Sequence, residues 1–167
     1  MIVALDQALA HTGWAWWRED QVWVGELVTH PEQDRWQRLL LLEQMVEKLY
    51  HFGAKHLVLE AVYGRHADLI RVQTTLYLAA ARLGLSISDI NSDPRCRRSW
   101  RAALGLPGGK KHTQQWAEKL WGVRLSQHQA DALGILFGWC LQTGLDVCPQ
   151  SLKLVNHKVH DHLDHLF

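Results

Sequence analysis

The chain has little that would place it outside the cytoplasm or across a membrane. Its 167 residues hold three cysteines, Cys96, Cys140 and Cys148. They lack the CxxC spacing of a zinc ribbon or redox motif and are too few for a disulfide framework, so they read as reduced thiols of a cytoplasmic protein. No apolar run approaches the roughly 20 residues of a membrane-spanning helix. The first residues lack a basic segment and are interrupted by Asp6, which argues against a secretory leader. Internal repeats and a domain linker are absent, and the length suits one domain with a full core. Net charge is also lacking: 18 Lys and Arg face 17 Asp and Glu. Global electrostatics therefore offer no argument for a polyanionic partner.

Charge distribution says more. From Arg95 to Arg124 the basic residues are Arg95, Arg97, Arg98, Arg101, Lys110, Lys111, Lys119 and Arg124, against the one acid Glu118. From Glu19 to Glu47 the balance reverses, with Glu19, Asp20, Glu26, Glu32, Asp34, Glu43 and Glu47 against Arg35 and Arg38. One end of a neutral molecule can thus present a positive surface, although such a cluster is equally compatible with a merely solvated face. Tryptophan is abundant, with nine residues, more than core packing alone usually takes. Most are expected in the core, with some free to stack on bases or a partner.

Residues 2–5 form an apolar strand that ends in Asp6. Trp14–Arg18 and Gln21–Val28 read as two strands of an antiparallel hairpin turning at Glu19-Asp20. Periodicity predicts a helix over 32–52 with Trp36, Leu39, Leu42, Val46, Leu49 and Tyr50 on one face, closed by Gly53. A buried strand over 55–60 ends in Glu60. A helix over 68–83 follows, with a stripe of Leu69, Val72, Leu76, Ala79 and Leu83, and then a strand over 85–90. Ser92-Asp93-Pro94 is a helix start for a segment reaching Gly105. Helices over 110–121 and 126–143 come next, and Ser151–Leu166 reads as a final amphipathic helix. Its histidines, His157, His160, His162 and His165, form a polar face or, less simply, a metal cluster. The order βββαβαβ followed by helices predicts an α/β fold. Its centre is a mixed five-stranded sheet flanked by helices in the ribonuclease H-like arrangement.

A carboxylate at the end of a buried strand can be a plain cap or a functional group at the sheet rim. Asp6 and Glu60 end two different strands, and if these are parallel neighbours both emerge on one rim. His128-Gln-Ala-Asp131 places His128 and Asp131 on one helical face. Asp131 sits in an apolar stretch where an unpaired charge is costly. Each residue alone has a structural explanation, but three acids on one rim repel one another and suit a hard divalent cation. Magnesium or manganese fits such oxygen donors. Two ions about 4 Å apart can activate water and stabilise the leaving oxygen of a phosphodiester displacement.

These motifs in order resemble the RuvC-family Holliday junction resolvases of bacteria and their phages. The likeness runs from Val3-Ala-Leu-Asp6 and Thr12-Gly13-Trp14-Ala15, through Leu57-Val-Leu-Glu60, to His128-Gln-Ala-Asp131-Ala-Leu. It implies a cytoplasmic, homodimeric endonuclease that resolves four-way junctions by paired nicks with 5′-phosphate ends. It further implies that Asp6, Glu60 and Asp131 bind two magnesium or manganese ions, with His128 as ligand or proton carrier. An imidazole there predicts a preference for manganese. Tyr63 stands where the family places an aromatic near the junction centre, or else is a loop aromatic packed on the core. Lys110 and Lys111 resemble the family's basic residues near the scissile phosphate, Lys111 being the expected catalytic one. Arg65, Arg71, Arg95, Arg97, Arg98 and Arg101, with His66, are the further candidate DNA contacts. Ala79, Ala80 and Ala81 suggest a dimer face on their helix, unless that face packs on the sheet. The chain departs from the family in having Asp6-Gln7-Ala8 in place of Asp-Pro-Gly. The same loss of glycine argues against a sugar-kinase or actin-like phosphate loop. Two other readings keep the fold: a nuclease for RNA or RNA:DNA hybrids, and a non-catalytic nucleic-acid-binding module.

Overall fold

The computed structural model describes residues 1–62 and 66–157, the side chain of Lys110 excepted. Strands β1 (Ile2–Asp6), β2 (His11–Arg18) and β3 (Gln21–Val28) form an antiparallel meander, with Leu5 opposite Trp14 and Asp6 opposite Gly13. Helix α1 (Arg35–His51) starts at Asp34, whose side chain accepts from the Gln37 amide while Gln37 returns the bond, a reciprocal cap. Strand β4 (His56–Glu60) then pairs parallel to β1, helix α2 (Ala67–Arg82) follows, and β5 (Ser86–Ile90) pairs parallel to β4. Three helices complete the other side: α3 (Trp100–Ala103), α4 (Lys110–Trp121) and α5 (Gln127–Gln142). A short β6 (Lys153–Asn156) joins the sheet parallel to β3, giving the order β5-β4-β1-β2-β3-β6.

Alternation along the central strands divides the core in two. Val3, Leu5, Leu57 and Leu59 face α1 and α2, whereas Ala4, Ala15, Val24 and Val58 face α5 and its neighbours. Small residues on that second face let α5 lie close to the sheet. The helix is buried on nearly every side from Gln129 to Gly138, as an all-apolar helix between two layers must be. Gly134 and Gly138 complete the packing, since a Cβ at either would come within 2.4 and 2.5 Å of Trp100 atoms. Among the described residues no helix is long and apolar enough to cross a membrane.

Four expectations change. The sheet has six strands, not five, because Lys153–Asn156, expected within a terminal helix, pairs with β3. The outer edge of β3 offers unpaired backbone groups that a helix could not satisfy. Lys153 donates to the Asp20 carbonyl at 2.9 Å and His157 to the Val24 carbonyl at 2.8 Å, one bond at each end of the new strand. The rest of the expected helix, with His160, His162 and His165, lies outside the described residues. The helix expected from Ser92 shrinks to Trp100–Ala103. Asn91 and Asp93 accept bonds from the amides of Asp93 and Arg95, at 2.7 and 3.0 Å, and these local turns outcompete helix. Arg95, Arg97 and Arg98 therefore sit on a loop.

Trp36 is 73% exposed. At 100° per residue the buried set from Leu39 to Leu49 covers an arc of about 120°, and Trp36 falls about 60° beyond it. Finally, Ala79 and Ala80 are buried with Val72 and Leu76 against the domain's own core, which leaves Ala81 as the exposed one of the three alanines.

Candidate active site

The parallel pairing of β1 and β4, with Leu5 opposite Leu59, carries Asp6 and Glu60 to the same end of the sheet. Helix α5 starts above that end, its first turn closed by Ser126 and Gln129 in a capping box. His128 and Asp131 follow on the side facing β1. The result is a recess of about 460 Å³ whose lining includes Asp6, Gln7, Glu60, Arg101, His128 and Asp131. The three carboxylates expected from the sequence are thus brought together with His128.

The approach of α5 depends on Gly13. A Cβ there would lie 2.0 Å from the His128 carbonyl oxygen, so only glycine lets the helix backbone rest on β2. Seated in this way, His128 Nδ1 lies 2.7 Å from Asp6 Oδ2. Burial pushes the Asp6 carboxyl above its ordinary range, and the nearby Asp131 charge adds to this against the opposing His128 bond. Burial likewise raises Glu60, reinforced by Asp6 and Asp131 and opposed chiefly by a Ser92 hydrogen bond. The Asp6 bond raises His128. A buried acid cluster that resists its own ionisation is a donor set that a divalent cation would relieve. The residues therefore fit magnesium or manganese.

Arg101 has a role that its place in a basic run conceals. It is buried, its Nη2 lies 3.2 Å from Asp131 Oδ1, and its Nη1 donates to Thr113 Oγ1 at 2.8 Å. Its guanidinium also stacks 4.0 Å over the Trp100 ring. Gln127 donates to the other Asp131 oxygen at 2.8 Å. Gln7 is the second residue that sequence reasoning left without a role. Its carboxamide donates to the Glu60 carbonyl and accepts from the Glu60 amide at 3.1 Å. The side chain extends the β1–β4 ladder by one backbone-like pair and ties the two carboxylate-bearing strand ends together. The only hint of it in the chain was the Gln7-Ala8 departure after Asp6.

The expected basic contacts lie elsewhere. Lys111 sits exposed on the first turn of α4, in a separate recess with Gln114, Glu118 and Arg124, and not among the acids. Lys110 precedes it at the helix start. Arg97 and Arg98 are exposed on the β5–α3 loop, and Arg95 there is paired with Asp93 at 2.9 Å. Arg71, on α2, pairs with Asp68 at 3.0 Å. Tyr63 and Arg65 lie outside the described residues.

No family model and no curated protein matches the chain. Solved structures do. Thermus thermophilus RuvC aligns at 14% identity and a TM-score of 0.66, over 86% of this chain and 95% of that one. T. thermophilus RuvC in complex with Holliday junction substrate aligns at 16% identity and a TM-score of 0.64, over 87% and 98%. At this identity the likeness defines the fold, which is the ribonuclease H-like fold of RuvC.

Proposed function

We propose that this chain is a divalent-metal-dependent endonuclease that resolves four-way DNA junctions. It would act as a homodimer, bacterial or phage-encoded and working in the cytoplasm, and leave paired nicks with 5′-phosphate ends. One observation carries the reading: Asp6, Glu60 and Asp131, from β1, β4 and α5, converge on one recess of a RuvC-like fold. Two magnesium or manganese ions would be held by these acids with His128. When bound they supply Lewis-acid activation of water and of the phosphoryl oxygen.

The protein's own groups prepare the site. The Gln7 carboxamide and the β1–β4 ladder hold Asp6 and Glu60 at one rim. Asp6 orients the His128 ring, which holds a proton at Nδ1 beside the recess. Arg101 balances the Asp131 charge in the absence of other cations. Phosphate contacts fall to exposed Arg97, Arg98 and Lys111, with Lys110 at the α4 start, and beyond the described residues to Tyr63 and Arg65. A four-way junction is two-fold symmetric, which suits a symmetric pair of sites.

The test compares cleavage of a four-way junction, a linear duplex and an RNA:DNA hybrid of the same sequence, with magnesium or manganese. Paired nicks confined to the junction are expected, faster with manganese. Preferential cleavage of the hybrid would move the assignment to RNA processing. Tight junction binding without cleavage in either metal would make the chain a binding module.

A further inference from the structure

Beside the acid recess lies a second group of donor atoms with different chemistry. His11 opens β2, Glu26 lies on β3, and His128 belongs to the first turn of α5. One ligand atom from each falls within 4.8 Å of the other two. Glu26 is 3% exposed near the end of β3, opposite Gly13, and a buried, isolated carboxylate is expensive. Among the described residues, the side chain that hydrogen-bonds it is His11, with Nδ1 2.8 Å from Oε1. The His11 ring stacks on that of His128, with centroids 5.4 Å apart and planes within 8°. His11 is half exposed, so the group has a way in from solvent.

We propose that His11, Glu26 and His128 form a second cation site, of the zinc type, which shares His128 with the acid recess but takes none of its carboxylates as a ligand. Two imidazoles and one carboxylate, with a position left open to solvent, is a donor set that favours zinc and neighbouring transition ions over magnesium. Donors about 2.1 Å from a tetrahedral ion lie about 3.4 Å apart, so the 2.8 Å His11–Glu26 contact opens by about half an ångström to admit it. The exposed His11 ring is the part free to move. Asp6 completes the arrangement. With its carboxylate holding Nδ1–H of His128 at 2.7 Å, the other ring nitrogen is left as a lone-pair donor. An outer carboxylate commonly fixes the tautomer of a metal-binding histidine in this way. The inference rests on donor geometry and holds whatever nucleic acid the protein cleaves.

The test is titration of the full-length, chelator-stripped protein with Zn²⁺ alone, followed by calorimetry, with Co²⁺ absorption as a report of tetrahedral geometry. One zinc per chain is expected, not displaced by millimolar Mg²⁺. His11→Ala removes an exposed ring and leaves the fold intact by circular dichroism; it should weaken zinc by at least about tenfold, as should Glu26→Gln. Asp131→Asn and the combined His160→Ala, His162→Ala and His165→Ala variant should bind zinc as the parent does. Zinc binding unchanged in His11→Ala would overturn the proposal. So would its loss in Asp131→Asn, which would put the ion among the acids, or in the terminal-histidine variant, which would put it on the tail.

Discussion

Two recesses of nearly equal volume, about 470 and 460 Å³, sit at opposite ends of β1. The first is lined by Met1, Ile2, Trp17, Arg18, Glu19, Phe52 and Gly53, and its two charged side chains already face each other, Arg18 lying 3.4 Å from Glu19. The second gathers Asp6, Glu60, Asp131, His128 and Arg101 from four separate elements. Size therefore does not distinguish the two. The difference lies in charge held out of water: side chains of the first pair are more than half exposed, whereas burial raises both Asp6 and Glu60 in the second. Isolated buried charge is expensive and persists where something offsets it.

The contrast can be broken most sharply by charge removal. Asp6→Asn or Asp131→Asn should lower junction cleavage by about a thousandfold or more, the scale of several kcal/mol of lost transition-state stabilisation, while gel-shift binding of the junction survives. Arg18→Ala in the other recess should leave cleavage unchanged. Cleavage intact in either acid variant would refute the site.

Glycines give a second comparison. Gly13→Ala forces a Cβ into the His128 carbonyl at 2.0 Å. It should cost about 3 kcal/mol, the upper range for overpacking, and reduce cleavage by displacing His128 from Asp6. Gly53→Ala, at φ 98° with nothing within 4 Å, should cost about 1 kcal/mol and spare activity. Equal activity loss in both, measured beside urea unfolding, would deny Gly13 its positioning role.

Gln7→Ala should cost about 1–2 kcal/mol, the loss of two partly buried hydrogen bonds, and weaken Mg²⁺ binding by loosening the Asp6–Glu60 spacing. Unfolding and calorimetry that leave both unchanged would show that the backbone ladder alone suffices.

The smallest effect is a pH dependence. The folded pKa of Glu60 lies above its ordinary 4.5, with burial the main cause. The folded state then binds this proton more tightly than the unfolded chain, so its contribution to stability falls as pH rises from 4.5 through the raised value. Glu60→Gln in EDTA should accordingly raise Tm at pH 7 and lose that advantage near pH 4. Thermal scans showing the same difference at both pH values would contradict the assigned burial cost.

Much of the framework was legible locally. Apolar runs ending in Asp6 and Glu60, the Glu19-Asp20 hairpin turn, and the helix start at Ser126 all rest on contacts within a few residues. The spacing of His128 and Asp131 placed them together on α5, and Gly13 stood within the Thr-Gly motif. Arg101 was not legible, because its partners Thr113 and Asp131 lie 12 and 30 residues away and its neighbours in sequence are solvated arginines. Strand β6 was missed because Lys-Leu-Val-Asn is too short to show a period, and pairing with the distant β3 makes it a strand.

The sequence by itself therefore determined where charge ends the two central strands, since an ionised group within the all-apolar runs of β1 or β4 would be buried without a partner. Only the tertiary structure decided which charges meet. Arg101 to Asp131, Gln7 to Glu60, and His11 to Glu26 and His128 are pairings between residues on different elements. Their energy depends on distance and burial, quantities that exist only once the sheet and α5 have closed on each other.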